Sequence, residues 1–286
     1  MSGSGTGLLV LVATPIGNLG DLSERALATL RDADVVACED TRRTGSLLHR
    51  HGISAKRFGV VNEHTELDRV KEVMRLLAEG STVALCSDAG SPGLSDPGER
   101  LVRAALDEGF EVSAVPGPAA AVMALSISGL PTGRWVFEGF LPRSGAGRSE
   151  RLDALSRERR TIVLYEAPHR LARTIDDLAE ACGDERYVAL ARELTKLHEE
   201  LWRGTLAEAR RHVAERAPLG EYVIVLAGAP APGAVGDDEI RAALRERFDA
   251  GLTTKSAVAE VVAALRAPKR TVYDLALALA ATQRDG

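Results

Sequence analysis

Thr82-Val83-Ala84-Leu85-Cys86-Ser87-Asp88-Ala89-Gly90-Ser91-Pro92-Gly93-Leu94-Ser95-Asp96-Pro97-Gly98 decides the reading of this chain. The apolar run 82–85 predicts a buried strand, and residues 86–98 predict an irregular loop. Glycine and proline fix such a path instead of a tight hairpin, and glycine lets backbone groups approach a ligand closely. The loop holds no lysine or arginine, so it is a poor phosphate cradle. Asp88 and Asp96 offer carboxylate acceptors. A ligand that is uncharged or cationic, with hydroxyl and amine donors, suits it. That points to a nucleoside-like cofactor and away from a nucleoside triphosphate. Asp88 and the backbone of Ala89, Gly90 and Ser91 are assigned to the ligand, and Asp96 to capping the helix that follows.

Around this loop, strands and helices alternate. Strands are expected at 8–13, 35–38, 58–61, 82–85 and 111–115. Helices are expected at 22–31, 41–51, 66–78, 97–107 and 118–128, the first capped by Asp21 with Glu24 completing a capping box. Such alternation implies a largely parallel sheet with helices on its faces. Gly129-Leu130-Pro131-Thr132-Gly133 then marks a boundary. Beyond it lie strands at 135–140, 161–165, 187–193, 200–203 and 222–227, with helices up to about 156 and at 170–181. They predict a second, mixed α/β sheet. Residues 229–236 read as a linker, and helical patterns at 238–248, 255–265 and 269–281 as a small helical or helix-turn-helix unit. A packing appendage is the competing reading of that unit. The expected division is a tail at 1–7, domains at 8–130 and 134–228, the linker, and the helical unit at 237–286.

Two more loops share the edge of the first sheet. Ala13-Thr14-Pro15-Ile16-Gly17-Asn18-Leu19-Gly20 joins the first strand to the first helix, and Val115-Pro116-Gly117-Pro118-Ala119-Ala120-Ala121 the fifth strand to the fifth helix. Neither is a dinucleotide fingerprint or a P-loop. In an open α/β sheet, ligands sit beyond the carboxyl ends of the strands. Three such loops at one edge make a site.

Composition excludes several classes. The chain has 286 residues, 45% apolar, with a formal charge of −5, which argues against a strongly basic nucleic-acid binder. Basic residues are nearly all arginine, as coding bias alone would give. Three scattered cysteines give neither a metal spacing nor a disulfide framework, so a reducing cytoplasm is expected. No apolar run is long enough to span a membrane.

The motifs together carry a resemblance. Thr14-Pro15-Ile16-Gly17-Asn18-Leu19, Cys38-Glu39-Asp40-Thr41-Arg42, Ser87-Asp88-Ala89-Gly90 and Pro116-Gly117-Pro118 resemble those of a bacterial methyltransferase family, ribosomal RNA small subunit methyltransferase I. Glu138-Gly139-Phe140-Leu141-Pro142, Tyr165-Glu166-Ala167-Pro168-His169-Arg170 and Ala191-Arg192-Glu193-Leu194-Thr195-Lys196 extend it over residues 8–228. Ser91 and Ala167 depart from the residues common there, and the C-terminal helices match more loosely. The resemblance implies a two-domain tetrapyrrole methylase-like α/β fold and a homodimer. It implies S-adenosylmethionine bound folded between the domains, and 2′-O-methylation of a cytidine in the decoding region of small-subunit ribosomal RNA. The substrate is expected as RNA within an assembled ribosomal particle. On this reading Pro15, Gly17, Asp88, Ala89, Gly90, Ser91, Pro116, Ala119, Ala120, Tyr165, Ala191, Gly220 and Glu221 surround the cofactor.

Methyl transfer to a ribose hydroxyl needs an aligned oxygen, a base, and a cation to stabilise alkoxide character. Glu166 or Glu193 is the expected base, and Lys196, Arg192 or Arg170 the stabiliser. Asp40, His169 and His64 are further candidates, and a structural ion pair is the competing reading of Glu193 and Lys196. No metal is called for. Arg143, Arg148 and Arg151, extended by Arg42 and Arg43, are the expected phosphate-binding edge; a solvated helix face is the bland alternative. Aromatic residues make up only 4%, so base stacking is not supported. The competing functions are a corrin-precursor methyltransferase of the same fold and a non-catalytic ribosome-assembly protein.

Overall fold

β1 (Leu8–Val12), β2 (Val35–Cys38), β3 (Phe58–Val60), β4 (Thr82–Cys86) and β5 (Glu111–Val115) alternate with α1 (Glu24–Asp32), α2 (Thr41–Arg50), α3 (Glu66–Ala78), α4 (Glu99–Asp107) and α5 (Ala120–Ser128). The structure, a computed structural model, describes residues 7–61, 66–215, 217–230, 236–265 and 267–282. The five strands run parallel in the order β3-β2-β4-β1-β5. Strands buried on both faces read as unbroken apolar runs, which is why Val35–Cys38 and Thr82–Cys86 do not alternate. Val10, Val36 and Leu30 pack on one face, and Leu9, Val35, Leu77 and Leu101 on the other.

Two helix starts differ from expectation. α1 is capped by Ser23, whose Oγ accepts from the Ala26 N–H at 3.1 Å, while Asp21 sits in a preceding 3-10 turn. The start moves because Leu22, just before the cap, is buried in the same cluster as Leu27, the hydrophobic-staple positions. α4 begins at Glu99 behind Gly98 and has no side-chain cap. The N-cap position is therefore held by Gly98, not by Asp96.

The second sheet contains β6 (Trp135–Phe140), β7 (Thr161–Glu166), β8 (Tyr187–Arg192), β9 (Glu200–Thr205) and β10 (Tyr222–Leu226), in the order β6-β7-β10-β8-β9. Only the β6–β7 pair is parallel. α6 (Ala146–Arg157), α7 (Pro168–Cys182) and α8 (Leu206–Glu215) cover one face, packing Leu155, Ile175 and Leu206 against Leu164 and Ile224. The sequence reading missed α8. Its start signal is a capping box: the Thr205 N–H donates to Glu208 Oε2 at 2.8 Å, and the Glu208 N–H to Thr205 Oγ1 at 3.2 Å. The other face of this sheet is covered by α5, whose Ala121, Ala124 and Leu125 lie on Val163, Ala189, Val223 and Val225.

Residues 230–286 form a separate unit. In it α9 (Asp237–Asp249), α10 (Thr254–Leu265) and α11 (Lys269–Thr282) enclose Ile240, Leu244, Val258, Val261 and Val272. Among the described residues no helix is long and apolar enough to cross a membrane.

Arg148 does not belong to an exposed phosphate-binding edge. It is 4% exposed and fills all of its reach internally: Nε pairs with Asp177 at 2.7 Å, Nη1 donates to the Pro142 carbonyl at 2.9 Å, and Nη2 to Thr174 Oγ1 at 3.0 Å. Thr174 Oγ1 donates onward to Glu166 Oε2 at 2.6 Å, and Glu166 Oε1 pairs with Arg170 Nε at 3.2 Å. Arg170 also donates to the Leu141 carbonyl at 2.6 Å. Two cations and two carboxylates thus balance in one polar chain that ties the end of β6 to α7. Removing one member of a buried pair strands its partner. Arg148→Ala is expected to cost about 2–4 kcal/mol, whereas Arg143→Ala, at an exposed site, should stay within about 0.5 kcal/mol. Urea unfolding of the two variants checks this; equal stabilities would refute the structural role.

Candidate active site

The loops after β1, β2, β4 and β5 meet at the carboxyl edge of the parallel sheet. Thr14 and Gly90 exchange backbone hydrogen bonds, N to O, at 2.8 and 3.0 Å. Thr14 Oγ1 donates to the Ser87 carbonyl at 3.1 Å, and Ser91 Oγ to the Pro118 carbonyl at 3.2 Å. The Asp88 N–H donates to Glu39 Oε1 at 3.0 Å. Each loop is therefore held by its neighbours.

Opposite them stand the ends of β7, β8 and β10. The two sides enclose a cavity of about 470 Å³. Small residues line the first-sheet wall: Ala89, Gly90, Ser91, Ala119 and Ala120. Tyr165, Ala191, Glu193, Lys196 and Glu221 line the other. Tyr165 Oη accepts from the Ala121 N–H at 3.3 Å, so a second-sheet side chain satisfies a first-turn donor of α5, which has no side-chain cap.

Three carboxylates converge inside: Glu39, Asp88 and Asp96. Burial, and then the nearby Glu39 charge, push Asp96 up to about 7. Burial also raises Glu39, against the pull of its hydrogen bond from Asp88. Asp88 Oδ2 pairs with Arg43 at 3.0 Å, but its buried Oδ1 has no hydrogen-bond partner. A buried acceptor without a donor costs free energy unless a ligand supplies one. The cavity thus suits a ligand bearing positive charge and N–H or O–H donors, and disfavours phosphate.

At the mouth, Lys196 Nζ donates to Glu193 Oε1 at 2.9 Å and to Glu221 Oε2 at 2.8 Å. Burial works against the lysine charge, but the hydrogen bonds it donates to Glu221 and Glu193 outweigh that and raise its pKa. Burial likewise opposes ionisation of Glu193, yet the Glu221 N–H, at 2.9 Å, and Lys196 hold its carboxyl below the usual value. Glu193 is thereby a poor base and a firm anchor. Gly17 makes the meeting of the two sides possible: a Cβ there would lie 2.4 Å from Lys196 Cγ.

Several expected residues lie elsewhere. Glu166 borders the cavity but is 2% exposed and committed to Thr174, Arg170 and the Ala167 N–H. Arg170 does not line the cavity, and neither does Pro116 or Gly220. Gly220 lies under Glu193, where a Cβ would meet Glu193 Cγ at 2.4 Å. Arg192 points to Glu200 at 3.3 Å and to the Leu219 carbonyl at 2.7 Å. Pro15 and Gly17 line an adjoining groove, with Asp40, Arg42 and Arg43. His169 borders the cavity, and His64 lies outside the described residues. Arg143 is exposed, and Arg151 pairs with Glu138 at 3.0 Å. Glu39, Asp96 and Phe140 line the cavity without having been singled out for it. Glu39 had a signal, since it follows a buried strand of the same sheet as Asp88.

Residues 8–210 match the tetrapyrrole (corrin/porphyrin) methylases, and the two-sheet fold with its interior cleft is of that class. The ribosomal RNA small subunit methyltransferase I of Synechocystis is 44% identical over 277 residues, 96% of this chain and 99% of that protein. The protein of the same name from Thermotoga maritima is 49% identical over 222 residues, 78% of this chain and 99% of its own length. The chain belongs to the ribosomal RNA small subunit methyltransferase I family. Among solved structures, uroporphyrin-III C-methyltransferase from Thermus thermophilus, complexed with S-adenyl homocysteine, aligns with TM-score 0.51 and 18% identity, over 76% of this chain and 96% of that one. That likeness is one of fold.

Asp96 sets a pH dependence. Its folded pKa of about 7 lies above the ordinary value of 3.8. The folded chain keeps a proton there that the unfolded chain has already lost. The resulting stability is fully present below about pH 4 and is lost as pH rises through about 7. The groups facing Asp96 are Ser87, Glu39, Asp88 and Tyr165. Asp96→Asn removes this term, so the variant should melt above the wild type at pH 8, the gap closing toward pH 4. Parallel melting curves across that range would show that Asp96 is not the group responsible.

Proposed function

We propose that this chain is an S-adenosylmethionine-dependent methyltransferase that methylates the 2′-hydroxyl of a cytidine ribose in the decoding region of small-subunit ribosomal RNA, within an assembled ribosomal particle in the cytoplasm. The single observation that carries the cofactor assignment is the unpartnered, buried Asp88 Oδ1 in a cavity lined by carboxylates and small residues. Asp88 accepts from a ribose hydroxyl or the amino group. Glu39 supplies negative charge for a cationic ligand, and Asp96 adds to it once its proton leaves, at a pKa of about 7. Ala89, Gly90, Ala119, Ala120 and Ala191 leave room for the nucleoside. Family membership supports ribosomal RNA as the methylated substrate.

When bound, S-adenosylmethionine supplies a methyl group activated on a sulfonium. The residues of the chain hold the acceptor in line and manage its proton. Lys196 stands where the enclosed cavity meets the outer groove, because it lines both. Its ammonium stabilises alkoxide character on the attacking oxygen. Glu193 and Glu221 fix its position. Asp88 and Glu221 line the same junction and are the carboxylates to which the hydroxyl proton can pass.

The partner we propose for the outer face of α5 is a second copy of this chain. Val122, Met123 and Ile127 are 40–44% exposed there, although the helix is apolar. Light scattering should give a dimer for the wild type and a monomer for Ile127→Asp; a monomeric wild type would remove this proposal.

The activity is tested by methyl transfer to small ribosomal subunits lacking the modification, with mapping of the modified nucleotide. A methyl on a base, or on no ribosomal RNA, would overturn the reading. Lys196→Ala is expected to lower kcat by about 100-fold or more, with cofactor affinity by calorimetry changed less than about threefold. Wild-type turnover in that variant would remove Lys196 from the chemistry.

A further inference from the structure

The enclosed cavity opens into a wider groove of about 760 Å³. One wall is the loop after β1, with Pro15, Gly17 and Leu19; the other is α2. From α2 come Arg42, Arg43, Ser46, Leu47 and Arg50. Their spacing of one, four, five and eight residues places them on one helical face, with the buried Thr44 also bordering the groove and Leu48 in the core. Six residues line both spaces: Ile16, Arg43, Asp88, Ala89, Lys196 and Glu221. The passage between the two is therefore the place where cofactor and acceptor meet.

The charges differ on its two sides. The inner cavity gathers Glu39, Asp88 and Asp96. The groove presents Arg42, Arg50, Arg43 and Lys196 against Asp40, Asp88 and Glu221. Arg42 folds onto Asp40 at 2.9 Å, and Arg43 reaches Asp88 at 3.0 Å. Arg50 is exposed and has no carboxylate within ion-pair distance among the described residues. Arg42 and Arg50 stand about 12 Å apart along the helix axis, so they address different phosphates. The arginines of the α6 stretch stand apart from this passage: Arg148 is buried, Arg151 pairs with Glu138, and neither they nor the exposed Arg143 line the cavity or the groove.

We propose that the groove along α2 is the binding site for the RNA phosphodiester chain, with Arg50 and Arg42 contacting phosphates on either side of the target nucleotide, whose ribose enters the passage beside Lys196. This rests on the function proposed above. Arg43 has a second role in it: its guanidinium covers Asp88 in the free chain and is the group a phosphate would draw away. An acidic peptide is the rival occupant of such a groove; the passage toward a methyl donor favours RNA.

The full chain is assayed on small ribosomal subunits lacking the methyl group. Arg50→Glu should raise KM for subunits at least tenfold while kcat changes less than threefold. Cofactor affinity and melting temperature should stay at wild-type values. The log–log salt dependence of KM should flatten by about 0.7 for each phosphate that is no longer neutralised. Arg50→Lys should restore most of the affinity, and Arg42→Glu should raise KM as well. Folded Arg50→Glu and Arg42→Glu chains with wild-type KM and salt slope would overturn the proposal. Should the wild type transfer no methyl group, the proposed function fails on its own. Filter binding of a small-subunit RNA fragment to the wild type and Arg50→Glu then decides the groove separately: equal affinities would refute it.

Discussion

α5 belongs by connection to the first sheet and by packing to the second. Ala121, Ala124 and Leu125 lie on Val163, Ala189, Val223 and Val225. The small side chains let the helix approach the strands closely. Full burial of a leucine such as Leu125 contributes about 2 kcal/mol. Only Pro116–Ala119 separates β5 from α5, so the carboxyl edge of the parallel sheet is forced to face the ends of β7, β8 and β10. The cavity follows from that constraint. Its walls come from two sheets, and the hydrogen bond between Tyr165 and the first turn of α5 crosses the gap.

Backbone strain is stored at this same interface. Glu193, Thr195 and Ser95 have positive φ values of 49°, 65° and 64°. Each costs about 1–3 kcal/mol in a residue with a side chain. The neighbours that hold Glu193 and Thr195 are visible: the Glu193 N–H donates to the Glu221 carbonyl at 2.9 Å, the Lys196 N–H to the Glu193 carbonyl at 3.0 Å, and the Asn18 N–H to Thr195 Oγ1 at 3.1 Å. The last bond crosses from the first sheet to the second. The turn that carries Lys196 is therefore over-determined, and the lysine arrives at the mouth with little freedom to lose.

Much of this was legible in the sequence because the signals were local. Continuous apolar runs gave the parallel strands, and Gly52 and Gly129, in left-handed conformation, end α2 and α5. Three loops at one sheet edge gave the ligand wall. What escaped depended on contacts far apart in the chain. Asp96 precedes a helix by three residues and looks like a cap, but Gly98 takes that position and Asp96 lines the cavity. Arg148 looks like one of a run of surface arginines, yet Asp177 and Thr174 on α7 draw it inside. Glu166 and Arg170 looked catalytic for the same reason: charge in a motif does not reveal that its partner is structural.

The two spaces divide the chemistry by sign of charge. A cation that donates hydrogen bonds is favoured among Glu39, Asp88 and Asp96, whose partial desolvation strengthens the attraction. A polyanion is disfavoured beside the same carboxylates, and the arginines of α2 are the cations we propose for it. Neither ligand gains by entering the other's place, so the passage at Lys196 is where opposite preferences meet. Arg43 and Asp88 neutralise each other across it at 3.0 Å. Both residues line both spaces, so the pair stands where the acidic cavity adjoins the basic groove.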